Sequence, residues 1–266
     1  MNTLALKNPE ADDGVLPPGR AAGAYLTEIR FELTRILRNP ALCIPMMVVP
    51  VALYLLFAVV IFGETVAKDP STGIFFFVGF GVLGVTMPGL FSISASLALE
   101  REMGLMKLKR AQPAPAGSWL VAKIVSGMLF STVAYLPMLA AAIITGKLPL
   151  PGGQIAAMSA AMIVGTIPFC ALGLMVGALV KGSAAPGYAN LIYLPGCYLS
   201  GLFFPLPQSM HWQTPFWPQF HVGQLAMHAA GAQKFQFMPA TMAAATLLGF
   251  TVLFSAVAIW RLARKG

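Results

Sequence analysis

No aspartate or glutamate follows Glu102, so 164 of the 266 positions carry no carboxylate. That removes the paired acids and metal cages that hydrolases use, and the buried acids on which proton- or sodium-coupled carriers depend, from the last four apolar runs. Charge is scarce throughout, at 10% of residues against about 25% in soluble domains. Cysteine is scarce too: Cys43, Cys170 and Cys197 all fall inside apolar runs. An odd count in such surroundings reads as inert core thiols, not a disulfide framework. The phosphate-cradling Gly-x-x-x-x-Gly-Lys-Ser/Thr loop is missing, which excludes a P-loop ATPase site in this sequence. Gly79-Phe80-Gly81-Val82-Leu83-Gly84 matches the dinucleotide fingerprint as a string, but it sits within an apolar run without a strand–turn–helix unit and reads as helix packing. His211, His221 and His228 have no zinc-site spacing and no acid or cysteine close by in sequence, so they read as loop histidines.

What the chain does have is apolar length. Hydrophobic residues make up 58% of it, with runs at 41–62, 74–99, 119–144, 155–180, 186–205 and 240–260. Each meets the roughly 20 residues a helix needs to cross hydrocarbon about 30 Å thick. The runs are continuous rather than alternating, which excludes a transmembrane β-barrel. The expectation is an all-α integral membrane protein with six transmembrane helices. With both termini cytoplasmic, 14 lysines and arginines fall inside and only Lys68, Lys147 and Lys234 outside, as the positive-inside rule requires. The net charge of +8 is thereby assigned to topology and anionic headgroups, with no nucleic acid needed as a partner. Glu10, Asp12 and Asp13 precede a first apolar run that starts too late and runs too long for a secretory signal.

Residues 1–20 read as a flexible cytoplasmic arm, rich in Asn, Asp, Pro and Gly. Across 21–39, Tyr25, Leu26, Ile29, Leu33, Ile36 and Leu37 fall within an arc of about 120°, with Glu28, Glu32, Arg35 and Arg38 on the other side. This is expected to be an amphipathic interfacial helix ended by Asn39-Pro40, serving as an anchor or as a partner contact. Residues 40–266 form the six-span domain. Its outer loop, 206–239, is rich in Trp, Phe and Pro with Lys234 as its one charge, so short re-entrant helices dipping into the outer leaflet are expected there. Pro45, Pro50, Pro88, Pro137, Pro168 and Pro195 interrupt the runs, marking kinks or close contacts.

The scarce charges concentrate in the cytoplasmic loop 100–118. Glu100, Arg101 and Glu102 close the second span, Gly104 permits a bend, Lys107, Lys109 and Arg110 follow, and Pro113 stops any helix before the third span. Lys123 is placed to snorkel from the start of that span. From physics alone this island also fits a stop-transfer signal with a headgroup anchor. The order Glu100-Arg101-Glu102-x-Gly104, then Arg110-Ala111-x-Pro113, then Lys123 resembles the signature of the type-2 permeases of ATP-binding-cassette (ABC) exporters. Ser200-Gly201-Leu202-Phe203-Phe204-Pro205 and Pro215-Phe216-Trp217-Pro218 extend the resemblance over essentially the whole chain past residue 20. Lys109, Gln112 and Ala122 depart from the usual apolar residue, Thr or Ser, and Gly at their positions.

The resemblance implies a permease subunit that pairs with a second copy and docks on a separate ATPase subunit in the bacterial inner membrane. ATP and magnesium are then held by the partner, and no cofactor or metal by this chain. Glu100, Arg101, Glu102, Gly104, Arg110 and Pro113 become candidates for coupling to the ATPase, with Glu28, Glu32 and Arg35 on the amphipathic helix. Ser92 and Ser96 on the second span, and Asn190, Tyr193, Cys197, Ser200 and Phe204 on the fifth, recur at helical spacing and are candidates for either the substrate pathway or helix packing. The cargo expected of spans without buried charge is amphiphilic: a drug-like compound, a lipid or a lipid-linked glycan. A secondary carrier and a non-transporting membrane scaffold are the rival readings.

Overall fold

The computed structural model describes residues 18–111 and 117–265. The arm up to residue 17, Pro113 and the side chain of Arg110 lie outside the described residues. Among the described residues there are helices and connecting turns and no strand. Helix α1 is Pro18–Leu37, and α2, Pro40–Tyr54, continues as a π-helical stretch, Leu55–Ile61. A short α3, Gly63–Lys68, leads to the 33-residue α4, Pro70–Glu102, followed by α5, Leu105–Ala111, and α6, Ser118–Ile144. The fourth apolar run is split into α7, Gly152–Val164, and α8, Ile167–Leu179. Then come α9, Ala185–Leu199, α10, Pro218–Ala229, and α11, Ala240–Lys265.

Five helical stretches are long and apolar enough to cross a membrane: Pro40–Ile61, Pro70–Glu102, Ser118–Ile144, Gly152–Leu179 and Ala240–Arg264. The run at 186–205 does not form a sixth of comparable length. Its helix, α9, has 15 residues, or about 22 Å at 1.5 Å per residue. It ends because Gly201 takes φ +71, a left-handed conformation that closes a helix and that only glycine adopts without strain.

Helix α4 is the axis of the fold. At about 50 Å it runs the height of the bundle, almost wholly buried, with α2, α6, α8, α9 and α10 packed around it. Glycines let backbones approach it. A Cβ at Gly79 would overlap the Leu202 carbonyl oxygen, and one at Gly81 would lie 2.9 Å from Met162 Sδ. The glycine fingerprint is therefore a packing surface. Near the start of α4, Phe57, Phe80 and Phe203 pack with ring centroids 5.5 and 5.2 Å apart, joining the π-helical stretch to the turn after α9. Helix α11 packs on α8 and α10 and leaves Leu248, Val252, Leu253 and Ile259 exposed, the composition of a lipid-facing surface.

The orientation of α1 corrects one expectation. Glu28, Glu32 and Arg35 face inward against α6 and the end of α4, beside Ile36 and Leu33, which pack on Cys43, Met46 and Phe130, while Leu26 (68% exposed) and Phe31 (60%) point away from the protein. The polar stripe turns inward because of what the bundle offers at that level, which is charge of the opposite sign.

Candidate functional site

Glu28, Glu32 and Arg35 recur at i, i+4 and i+7, so α1 presents them as one stripe. That stripe meets Glu100 from the last turn of α4, Lys109 from α5 and Lys123 from the second turn of α6. Lys123 Nζ donates to Glu100 Oε1 at 2.8 Å, Glu32 Oε1 at 2.9 Å and Ser96 Oγ at 3.2 Å, which uses all three of its protons. Arg35 bridges both acids, at 2.5 Å from Glu100 Oε1 and 2.5 Å from Glu32 Oε2. Lys109 Nζ lies 3.0 Å from Glu28 Oε1, 3.4 Å from Glu32 Oε1 and 3.5 Å from Glu100 Oε2. Three carboxylates face three cations, so the cluster is formally neutral.

Neutrality is what permits burial. Glu32, Glu100 and Lys123 are each less than 5% exposed, and an unpaired ion there would cost several kcal/mol. Lys123 does not snorkel as its position in the sequence implies, because two buried carboxylates give it better partners than the interface does. Burial alone would lower the Lys109 pKa; the charges of Glu100, Glu32 and Glu28, with the Glu28 hydrogen bond, outweigh burial and hold it above its ordinary value. A hydrogen bond from Ser126 Oγ to the Ile29 carbonyl, 3.1 Å, adds a second tie between α1 and α6. Together these contacts fasten α1, α4, α5 and α6 to one another.

Arg101 turns the other way. Its Nη1 donates to the Gly177 and Val180 carbonyls at 2.8 and 3.3 Å, capping the C-terminal end of α8 and neutralising its dipole. Glu102 is exposed, with its carboxylate against Gly182. Gly104, at φ +72, lets the chain reverse into α5. These residues, with Met106, Lys107 and Lys181, line an open cavity of about 410 Å³. One island of sequence thus supplies two surfaces: Glu100 and Lys109 inward, Glu102 and Lys107 outward.

Residues 24–221 match the ABC-2 type transporter family, a stretch that runs from α1 into α10 and contains the whole cluster. The chain belongs to the ABC-2 type transporter family. A Bacillus subtilis (strain 168) protein, named as a transport permease, YvfS, is similar to it, 22% identical over 195 residues that cover 72% of this chain and 79% of the relative. The ABC-2 domain is the permease part of ABC transporters and lacks their ATPase domain, so membership implies an ATPase partner.

In this ABC-2 permease the candidate pathway residues separate into two groups. Tyr193, Cys197 and Ser200 are buried, and Tyr193 faces α4. Tyr193 Oη lies 2.6 Å from Thr86 Oγ1 and donates to the Leu83 carbonyl at 3.3 Å. Ser92 is buried and bonds back to the Pro88 carbonyl at 2.5 Å, and Ser96 belongs to the charged cluster. Asn190 is exposed on the side of α9 that also carries Tyr188, Leu191, Leu194 and Tyr198, and Phe204 is exposed in the turn after α9, its ring edge-on to Phe57. Each loop histidine is held at Nε2 by a backbone carbonyl: His211 by Leu206 at 3.0 Å, His221 by Pro215 at 2.8 Å and His228 by Met238 at 2.7 Å. They staple the segment 206–239 to itself and to α10. Sequence reasoning missed the structural role of Lys109 and Lys123; the signal was present, since in so charge-poor a chain every lysine near two glutamates is a pairing candidate.

Proposed function

We propose that this chain is the membrane-spanning subunit of an ATP-driven exporter in the bacterial inner membrane, moving an amphiphilic substrate outward. In this reading it works as a homodimer, with both termini cytoplasmic and a separate ATPase holding ATP and magnesium. Helix α9 is then a short fifth of six spans, with α10 as the re-entrant element that completes its height. The six-charge cluster, buried at Glu32, Glu100 and Lys123, carries the reading. It makes α1, α4, α5 and α6 one body that ends in the exposed Glu102–Leu108 surface, so a push on that surface by a closing ATPase moves whole spans rather than a loop. Glu28, Glu32, Arg35 and Glu100 transmit that push, Arg101 extends it to α8, and Glu102, Gly104, Arg110 and Pro113 belong to the docking surface. Asn190 borders the pathway on the exposed side of α9, where tyrosines and aliphatic side chains surround one amide, and Phe204 borders it from the turn after α9, a surface suited to a drug-like compound, a lipid or a lipid-linked glycan. Tyr193, Cys197, Ser200 and Ser92 hold α9 and α4 in place behind it.

The test is reconstitution with the ATPase subunit in proteoliposomes. Glu102→Lys is expected to lower amphiphile-stimulated ATP hydrolysis severalfold while insertion and thermal stability stay at wild type. Undiminished stimulation would remove Glu102 from the coupling surface. Transport by the permease alone, driven by a proton or sodium gradient, would replace the whole reading with a secondary carrier.

A further inference from the structure

A cavity of about 640 Å³ lies between the start of α4, the turn after α9, α10 and the first turn of α11. From Phe75 to Glu100 α4 rises by about 37 Å, so this cavity sits at the end of the bundle opposite the charged cluster. Its volume falls within the roughly 300–1,000 Å³ typical of small-molecule sites. No charged residue lines it. The polar side chains in its wall are committed to backbone: Ser200 Oγ donates to the Cys197 carbonyl at 3.0 Å, Thr214 Oγ1 to His211 at 2.9 Å and His211 Nε2 to Leu206 at 3.0 Å. The Gln224 amide spans the wall, donating to the Phe235 carbonyl at 3.1 Å and accepting from the Phe237 N–H at 2.7 Å. The remaining surface is phenylalanine, leucine, proline and methionine. Such a wall recognises hydrocarbon and offers a headgroup or an anion nothing to bind.

The mouth says where that hydrocarbon comes from. Phe237 and Met242 line the cavity and are 58% and 56% exposed. Met242 stands at the head of the same α11 whose Leu248, Val252 and Leu253 are exposed, so the opening is continuous with a lipid-facing surface. The walls are fastened from outside, with Lys234 of the loop paired to Asp69 at the start of α4 at 2.7 Å. Methionine side chains at Met227, Met238 and Met242 adapt to a flexible chain. We infer that this cavity is a binding site for one acyl chain of a bilayer phospholipid, entering past Met242 from the side of α11.

The experiment uses the full-length permease in nanodiscs without any ATPase, so its outcome is independent of the transport reading. Two phosphatidylcholine probes are compared, one with a photoactivatable diazirine in mid-acyl chain and one with it on the headgroup. The acyl probe is expected to leave adducts on residues 223–227 and 238–242; the headgroup probe is expected to leave none on 223–227. Met242→Trp narrows the mouth and should reduce the 223–227 adducts severalfold, with those at the lipid-facing Leu253 and Ile259 unchanged. Leu206→Trp, which fills the cavity from the turn after α9, should do the same and stands in if the first variant does not accumulate. Labelling of Leu253 and Ile259 without the cavity walls would overturn the proposal, as would cavity adducts indifferent to both substitutions. Acyl adducts on 223–227 that excess unlabelled phosphatidylcholine does not reduce would equally overturn it.

Discussion

Replacing Lys123 by methionine removes the cation at the centre of the cluster while keeping the length of its apolar stem. Its ammonium sits 2.8 and 2.9 Å from two buried carboxylates. At an effective dielectric of about 20 each attraction is worth roughly 6 kcal/mol before desolvation is counted. Most of that offsets the cost of burying the ions, and the net penalty for leaving such acids unpaired is about 3–5 kcal/mol. Against a typical stability of about 5–15 kcal/mol, that is a large fraction. For a chain of this size about 2–4 °C is lost per kcal/mol, so the melting temperature should fall by roughly 6–20 °C. Cys43, Cys170 and Cys197 are free and buried, so a thiol-reactive fluorophore that reports their exposure on heating measures this directly in detergent. The decisive comparison is Lys123→Met with Glu32→Gln. The pair restores neutrality, and at least half of the loss should return. A single variant within about 2 °C of wild type, or a double variant no better than the single, would refute the argument that charge balance holds α1 to the spans.

Other consequences are as direct. Gly79→Ala places a methyl against the Leu202 carbonyl oxygen and should cost about 1–3 kcal/mol. Gly249→Ala on α11, where nothing lies within 4 Å, should be neutral or stabilising by up to about 1 kcal/mol; thermal unfolding of the two tests the contrast. Tyr193→Phe removes the buried hydroxyl bonded to Thr86 and should cost about 1 kcal/mol, whereas Leu191→Ala on the exposed side of α9 should leave stability unchanged. Because the folded-state pKa of Lys109 is raised above 10.5, its contribution is fully present below that value and lost as pH rises through the folded one. The stability gap between wild type and Lys109→Met, measured from pH 8 upward, should therefore close only above about 10.5; a gap that closes nearer neutrality would contradict the assignment.

Hydrophobic length and charge scarcity were enough to establish an all-helical membrane protein, because a lipid interior leaves the backbone few other ways to satisfy its hydrogen bonds. Local chemistry was also legible: Gly104 bends the chain after α4, and Gly79, Gly81 and Gly84 pack helices. Family membership was readable from the order of residues around Glu100. The sequence could not say where a helix points its charged face. Periodicity shows that Glu28, Glu32 and Arg35 share a stripe, but water and a buried set of opposite charges are equally good destinations for it. Only packing, which brings Glu100, Lys109 and Lys123 to the same level from three other helices, turns that stripe inward and makes Leu26 and Phe31 the outer surface. The same holds for α9, whose 20-residue apolar run folds as a 15-residue helix because Gly201 closes it and Leu202 closes against Gly79. Composition fixed what the chain is made to dwell in; contacts between residues up to 165 positions apart decided which of its few charges are structural and which are left to meet a partner.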